Sequence, residues 1–179
     1  MENFKDMGTI QKIFEADGLL TTVKYALPDV MAFLISERGV VQAEKDLLAI
    51  GKMTAERMLI IWKPQNSNPI KLLKEIKKGF FKKTKEPKGK ILERFGGAPS
   101  KILIRDRDCP VCPEKGAGEE VEVSQIHYCT AISGFVEAVL NYLIQNKLAP
   151  YTQASCKTVA SVGSGHKYCE MIIDLKYGG

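Results

Sequence analysis

The spacing of apolar side chains changes period part-way along this chain. Over residues 42–62, Leu47, Ile50, Met53, Met58, Ile61 and Trp62 recur every three or four positions, which predicts an amphipathic helix of several turns that Pro64 ends. Asn68 followed by Pro69 is a cap-and-proline opening for another helix, with Ile70, Leu72, Leu73, Ile76 and Phe80 on one face. Lys71, Lys74, Lys77 and Lys78 fall largely on its other face and read as solvated. Beyond Gly89 the period drops to two. Residues 90–95 and 100–106 predict two strands joined by Gly96-Gly97-Ala98-Pro99, with Ile102 and Ile104 alternating against Lys101, Leu103 and Arg105. Ile126, Cys129, Ile132, Val136, Leu140 and Leu143 return to helical spacing, and residues 151–162 and 167–176 predict a hairpin turning at Gly163-Ser164-Gly165.

The N-terminal stretch carries weaker signals. Asp17-Gly18 is a turn signal, and residues 19–26 suit a short strand or an extended arm. Pro28-Asp29 reads as the opening of a short helix, with Val30, Phe33 and Leu34 at helical spacing and Gly39 as its stop. Residues 1–27 are therefore expected to form an N-terminal arm, and residues 28–179 one domain. Helices first, then two strands, a helix and two strands is an α+β order, with a helical layer packed on one face of an antiparallel sheet.

Composition narrows the class. Apolar residues at 45% and charged residues at 26% of 179 are those of a folded globular chain. No segment approaches the roughly 20 apolar residues of a membrane span, and the start has no basic flank followed by an apolar run, so a cytoplasmic protein is expected. The net charge of +5 is local: nine lysines stand against Glu75 and Glu86 between residues 71 and 90, leaving the rest of the chain slightly acidic. A solvated lysine face accounts for that segment, which has no arginine and no DNA-reading motif, so nucleic acid is not an expected partner.

All five cysteines, Cys109, Cys112, Cys129, Cys156 and Cys169, lie in the last 71 residues. Cys109-Pro110-Val111-Cys112 is the spacing that lets a tight turn offer two thiolates to one ion, and Cys129 falls in the first turn of a helix, where the backbone dipole favours a thiolate. Four thiolates close a tetrahedral shell around zinc and leave no position for water or substrate, which makes the metal structural and the protein no zinc hydrolase. Buried core thiols and redox disulfides are the competing readings. Cys156 is the least well placed. With a hairpin turning on Ser164, Cys169 falls opposite Val159, and Cys156 lies three residues further on and on the other face unless a bulge intervenes. His127 and His166 are possible substitute ligands.

The runs Cys109-Pro110-Val111-Cys112, His127-Tyr128-Cys129-Thr130-Ala131-Ile132-Ser133-Gly134-Phe135 and Gly163-Ser164-Gly165-His166-Lys167-Tyr168-Cys169, with Cys156 between the last two, resemble the vinyl-4-reductase domain family. The resemblance spans about residues 28 to 176, and Ile50-Gly51-Lys52-Met53-Thr54-Ala55 fits the family's glycine-containing second helix. It implies an α+β fold related to the ligand-binding domain of nitric-oxide signalling and Golgi transport proteins, dimerisation through helices, and zinc held near a ligand pocket at positions matching Cys129, Cys156 and Cys169. The family's last two cysteines usually stand closer together than they do here.

The leading expectation is thus a zinc-stabilised, homodimeric module that binds a small hydrophobic molecule. Met53, Met58, Trp62, Phe80, Phe81 and Phe135 are its candidate pocket residues, although such side chains at helical spacing also serve as ordinary core. The alternative is a reductase or accessory protein acting on a vinyl-bearing tetrapyrrole. No catalytic residue is assigned: Gly116-Ala117-Gly118 and Gly163-Ser164-Gly165 lack the third glycine and the strand-to-helix setting of a dinucleotide fingerprint.

Overall fold

The computed structural model describes the backbone of residues 3–80, 85–112 and 126–178, and side chains over 26–79, 85–112 and 126–178. The elements run α1 (Asn3–Ile61), α2 (Pro69–Phe80), β1 (Lys88–Phe95), β2 (Ala98–Asp106), α3 (Thr130–Gln145), β3 (Gln153–Ala160) and β4 (Cys169–Lys176). Among the described residues this is the expected α+β arrangement, three helices with one four-stranded antiparallel sheet of order β1-β2-β4-β3.

The N-terminal region departs from the expectation. Residues 19–26 are helical rather than a strand or an extended arm, and Pro28 lies inside α1 instead of opening it. Leu20, Val23, Leu27, Met31 and Leu34 keep a spacing of three or four straight through Pro28, so one apolar stripe spans the proline. Gly39 does interrupt the helix: its φ of 73° and ψ of 161° leave helical geometry and divide α1 in two.

The remaining boundaries follow local chemistry. Asn68 caps α2, its Oδ1 accepting from the backbone N–H groups of Ile70 at 3.1 Å and Lys71 at 3.2 Å. Gly96 and Gly97 both have positive φ, which makes the β1–β2 connection a tight two-residue turn rather than the four-residue link expected. Lys77 is a second departure, because it is buried rather than solvated. Its ammonium is satisfied by Asp106 Oδ1 at 2.6 Å and by the Lys85 carbonyl at 2.6 Å, so the end of α2 is tied to the end of β2. Burial raises the pKa of Asp106, while the Lys77 hydrogen bond opposes that rise.

The helices cover one face of the sheet. Ala154, Cys156, Thr158 and Ala160 of β3 and Cys169, Met171, Ile173 and Leu175 of β4 are buried in strict alternation with exposed or half-buried neighbours. The main core joins Leu59 of α1, Leu72 and Ile76 of α2, and Val136 and Leu140 of α3 to Ile102 and Ile173 of the sheet. A second core gathers Met31 and Leu47 of α1 with Ile126, Tyr128 and four cysteines.

The helices α1 and α3 touch backbone to backbone. A Cβ on Gly51 would stand 1.9 Å from the Ala131 carbonyl oxygen, and one on Gly134 would stand 2.2 Å from that of Leu48. No rotamer relieves a clash with backbone, so either helix must move if a side chain is added. We expect Gly134→Ala to destabilise the fold by about 3 kcal/mol, at the upper end of overpacking costs, as measured by urea unfolding. An unchanged midpoint would contradict the close crossing.

Candidate metal centre

Topology brings the cysteines together from three directions. β2 ends at Asp106, which pairs with Cys169 at the start of β4, so the chain leaving β2 carries Cys109 and Cys112 past that strand end. Cys129 is the residue before α3, and Thr158 Oγ1 of β3 donates to its carbonyl at 3.2 Å, holding the helix entrance against the sheet. The Sγ atoms of Cys109, Cys112, Cys129 and Cys169 all lie within 4.8 Å of one another, and all four residues are buried. Cys112 Sγ and Cys169 Sγ are 3.1 Å apart, and all five cysteines of the chain are free thiols.

The electrostatics of the group are those of thiols sharing one charge. Cys169 is held far below the usual thiol range by hydrogen bonds from Cys109, Cys112 and Cys129, and the Val162 N–H adds a donor at 3.3 Å. Cys112 and Cys129 are pushed up, first by their hydrogen bonding with Cys109. Burial raises both further, since a second or third anion in this space would lack solvation. A divalent cation removes that restriction. Thiolate–zinc bonds of about 2.3 Å imply sulfur–sulfur edges of about 3.8 Å, a spacing that lies between the 3.1 Å of the Cys112–Cys169 pair and the 4.8 Å within which all four sulfurs fall. The donor set therefore fits a metal ion that prefers four sulfurs.

Cys156 stands apart, for a reason that the sequence register did not supply. A register shift between Thr158 and Ala160 puts Ala160 opposite Glu170, so Cys169 is not opposite Val159, and Cys156 shares the buried face with Cys169. Cys156 nevertheless pairs with Ile173, four residues along β4 from Cys169. At about 3.3 Å per residue that is roughly 13 Å, too far for one ion. Its Sγ instead contacts Met171 Sδ at 3.8 Å in the main core, and its backbone N–H donates to Glu137 Oε2 at 3.0 Å. His127 and His166 also stay outside the four-thiol group. Their rings meet edge to face at 5.8 Å, and burial, then the charge of His166, lowers the pKa of His127.

The candidate pocket residues that are described lie on different helices. Met53 is 53% exposed, and Trp62 and Phe135 pack partly buried against the main core. Met58 is half-buried, while the Phe80 side chain and Phe81 lie outside the described residues. A groove of about 450 Å³ opens between α1 and α3, lined by Leu59, Ile60, Lys63, Ala138, Tyr142 and neighbouring polar residues, none of them among the six. Lys63 Nζ lies 5.2 Å from the Tyr142 ring centroid. The helical spacing of Leu59 with Lys63 and of Ala138 with Tyr142 was visible in the chain. The juxtaposition of the two helices was not.

No family model matches the chain, and no curated protein does. Among solved structures it is similar to subunit 3 of the trafficking protein particle complex from Naegleria fowleri, solved covalently bound to palmitic acid. The TM-score is 0.61 at 15% identity, covering 92% of this chain and 97% of that one. The likeness is one of fold. It accords with the fold relation to transport proteins implied by the sequence resemblance. Among the described residues, no helix is long and apolar enough to cross a membrane.

Burial pushes the Cys156 thiol from 9.0 up to about 12. An unfolded chain ionises this thiol near 9, whereas the folded one keeps its proton, so stability is unaffected below pH 9 and falls as pH rises from 9 to 12. We expect Cys156→Ala to flatten that alkaline decline, by at most about 4 kcal/mol at 1.36 kcal/mol per unit. Urea unfolding of both proteins at pH 7, 9 and 10.5 measures it; parallel declines would refute the assignment.

Proposed function

We propose that the chain is a zinc-stabilised module of the vinyl-4-reductase type that binds a small hydrophobic ligand as a homodimer in the cytoplasm. The observation that carries the reading is the group of four buried thiols within 4.8 Å, on the ends of two strands and the entrance of a helix. Zinc is the ion suited to four thiolates in a closed site, and with every position taken its contribution is to folding rather than to catalysis. A reducing compartment keeps such thiols free for metal.

Two further features support the ligand and dimer parts. The fold is shared with a protein solved with a fatty-acid adduct, and a ligand-sized groove lies between α1 and α3. Met53, Ile60 and Ile61 leave α1 with an exposed apolar side, Ile60 at 77% and Ile61 at 82%. A second protomer on that side would cover these residues and bring Met53, Met58 and Trp62 toward an enclosed site, with Phe80, Phe81 and Phe135 as the other proposed pocket residues.

Native mass spectrometry of the purified protein tests the three parts separately. The expected species is a dimer with one zinc per chain and an additional small-molecule mass that organic extraction removes. Cys129→Ser and Cys112→Ser should lose the zinc, while Cys156→Ser retains it. Zinc kept by Cys129→Ser, or lost with Cys156→Ser, would reject the ligand set; a monomer with no adduct, and no affinity for hydrophobic probes, would reject the binding module.

A further inference from the structure

The groove between α1 and α3 has an apolar middle and an ammonium toward each end. Leu59, Ile60, Ala138 and the Tyr142 ring supply the apolar part. Lys52 on α1 and Lys63 just past its end stand roughly 16 Å apart along the helix axis, at 1.5 Å per residue. The two ammonium groups are in different states. Lys52 Nζ is 2.5 Å from Glu137 Oε1, and the other oxygen of that carboxylate accepts from the Cys156 N–H at 3.0 Å, so charge at this end is matched within the chain. Lys63 Nζ donates to the Leu59 carbonyl at 2.5 Å and lies 5.2 Å from the Tyr142 ring centroid. Both partners are uncharged, and among the described residues no carboxylate stands within ion-pair distance of Lys63.

An ammonium has three donors, and the Leu59 carbonyl takes one of those on Lys63. Glu56, the other charged residue lining the groove, sits one helical turn from Lys52 and about 10 Å along the axis from Lys63, so negative charge gathers at the Lys52 end. The groove is therefore polarised, with an uncompensated cation at one end only. We propose that it takes an organic anion of amphipathic form, a carboxylate with an apolar body, seated with the carboxylate on Lys63 and the body along Leu59, Ile60 and Ala138. The opposite orientation would set the carboxylate against Glu56 and beside an ammonium already committed to Glu137. A neutral apolar molecule would fill the same middle but leave Lys63 without a counter-charge. This inference rests on the binding-module reading above and names the class of ligand for it.

Isothermal titration calorimetry of the full chain with sodium octanoate and with octanol, its uncharged counterpart, tests the assignment at neutral pH. Wild type should bind octanoate about tenfold more tightly than octanol, the lower end of what one charge-assisted hydrogen bond supplies, because Lys63 is exposed. Lys63→Met should lose that preference while keeping the octanol affinity, and Lys63→Arg, which restores a cation, should retain it. Equal affinity of wild type for the two probes, or an octanoate preference that survives in Lys63→Met, would overturn this inference and leave the binding module standing. Wild type that binds neither probe would also overturn it, and if uncharged hydrophobic dyes fail to bind as well, the binding-module reading falls with it.

Discussion

Four sulfurs confined within 4.8 Å in a buried space cannot all carry charge, and the fold around them is arranged by that constraint. Without a cation one thiolate takes hydrogen bonds from three thiols, which is why Cys169 is depressed while Cys112 and Cys129 are raised. The group spans elements distant in sequence: the turn after β2, the entrance of α3 and the start of β4. Whatever satisfies the sulfurs also holds these elements together.

The rest of the helical layer is fitted to that junction. Gly51 and Gly134 let α1 and α3 approach until backbone meets backbone, which brings Leu47 of α1 down beside the cysteines and Ala55 and Leu59 into the main core. The buried Lys77–Asp106 pair works at the other side, fixing the end of β2 from which the Cys109–Cys112 turn departs. Breaking a buried pair strands a charge, so this contact holds the strand end more firmly than a surface ion pair would. Among the described residues, Met53, Ile60 and Ile61 of α1 stay exposed on the outer side of this layer.

Much of this was legible before the structure. The period of three to four located α2, α3 and the second half of α1, alternation marked β2, and the Gly96–Pro99 and Gly163-Ser164-Gly165 turns located the strands on either side of them, because burying one face of an element imposes its spacing on the sequence and a reversal needs turn residues. The uneven distribution of cysteines pointed to a shared site, with Cys156 the weakest member. Residues 19–26 were harder to read: Thr21, Thr22 and Val23 are β-branched and a proline follows, so local propensity competed with a helical stripe that continued through Pro28. Lys77 was misread because a lysine's preference for solvent is overridden when an aspartate 29 residues away meets it.

By itself the sequence determined the α+β order, the elements after Gly39 and five clustered cysteines of which four suit one ion, since these depend on side-chain type and local spacing. Only the tertiary structure decided which sulfurs meet. The shift between Thr158 and Ala160 turned Cys156 to the same face as Cys169, and the pairing of Cys156 with Ile173 then carried it out of reach. Strand register and the crossing of α1 over α3 both arise from contacts between residues far apart in the chain. Local periodicity records which face of an element is buried but not what that face is buried against.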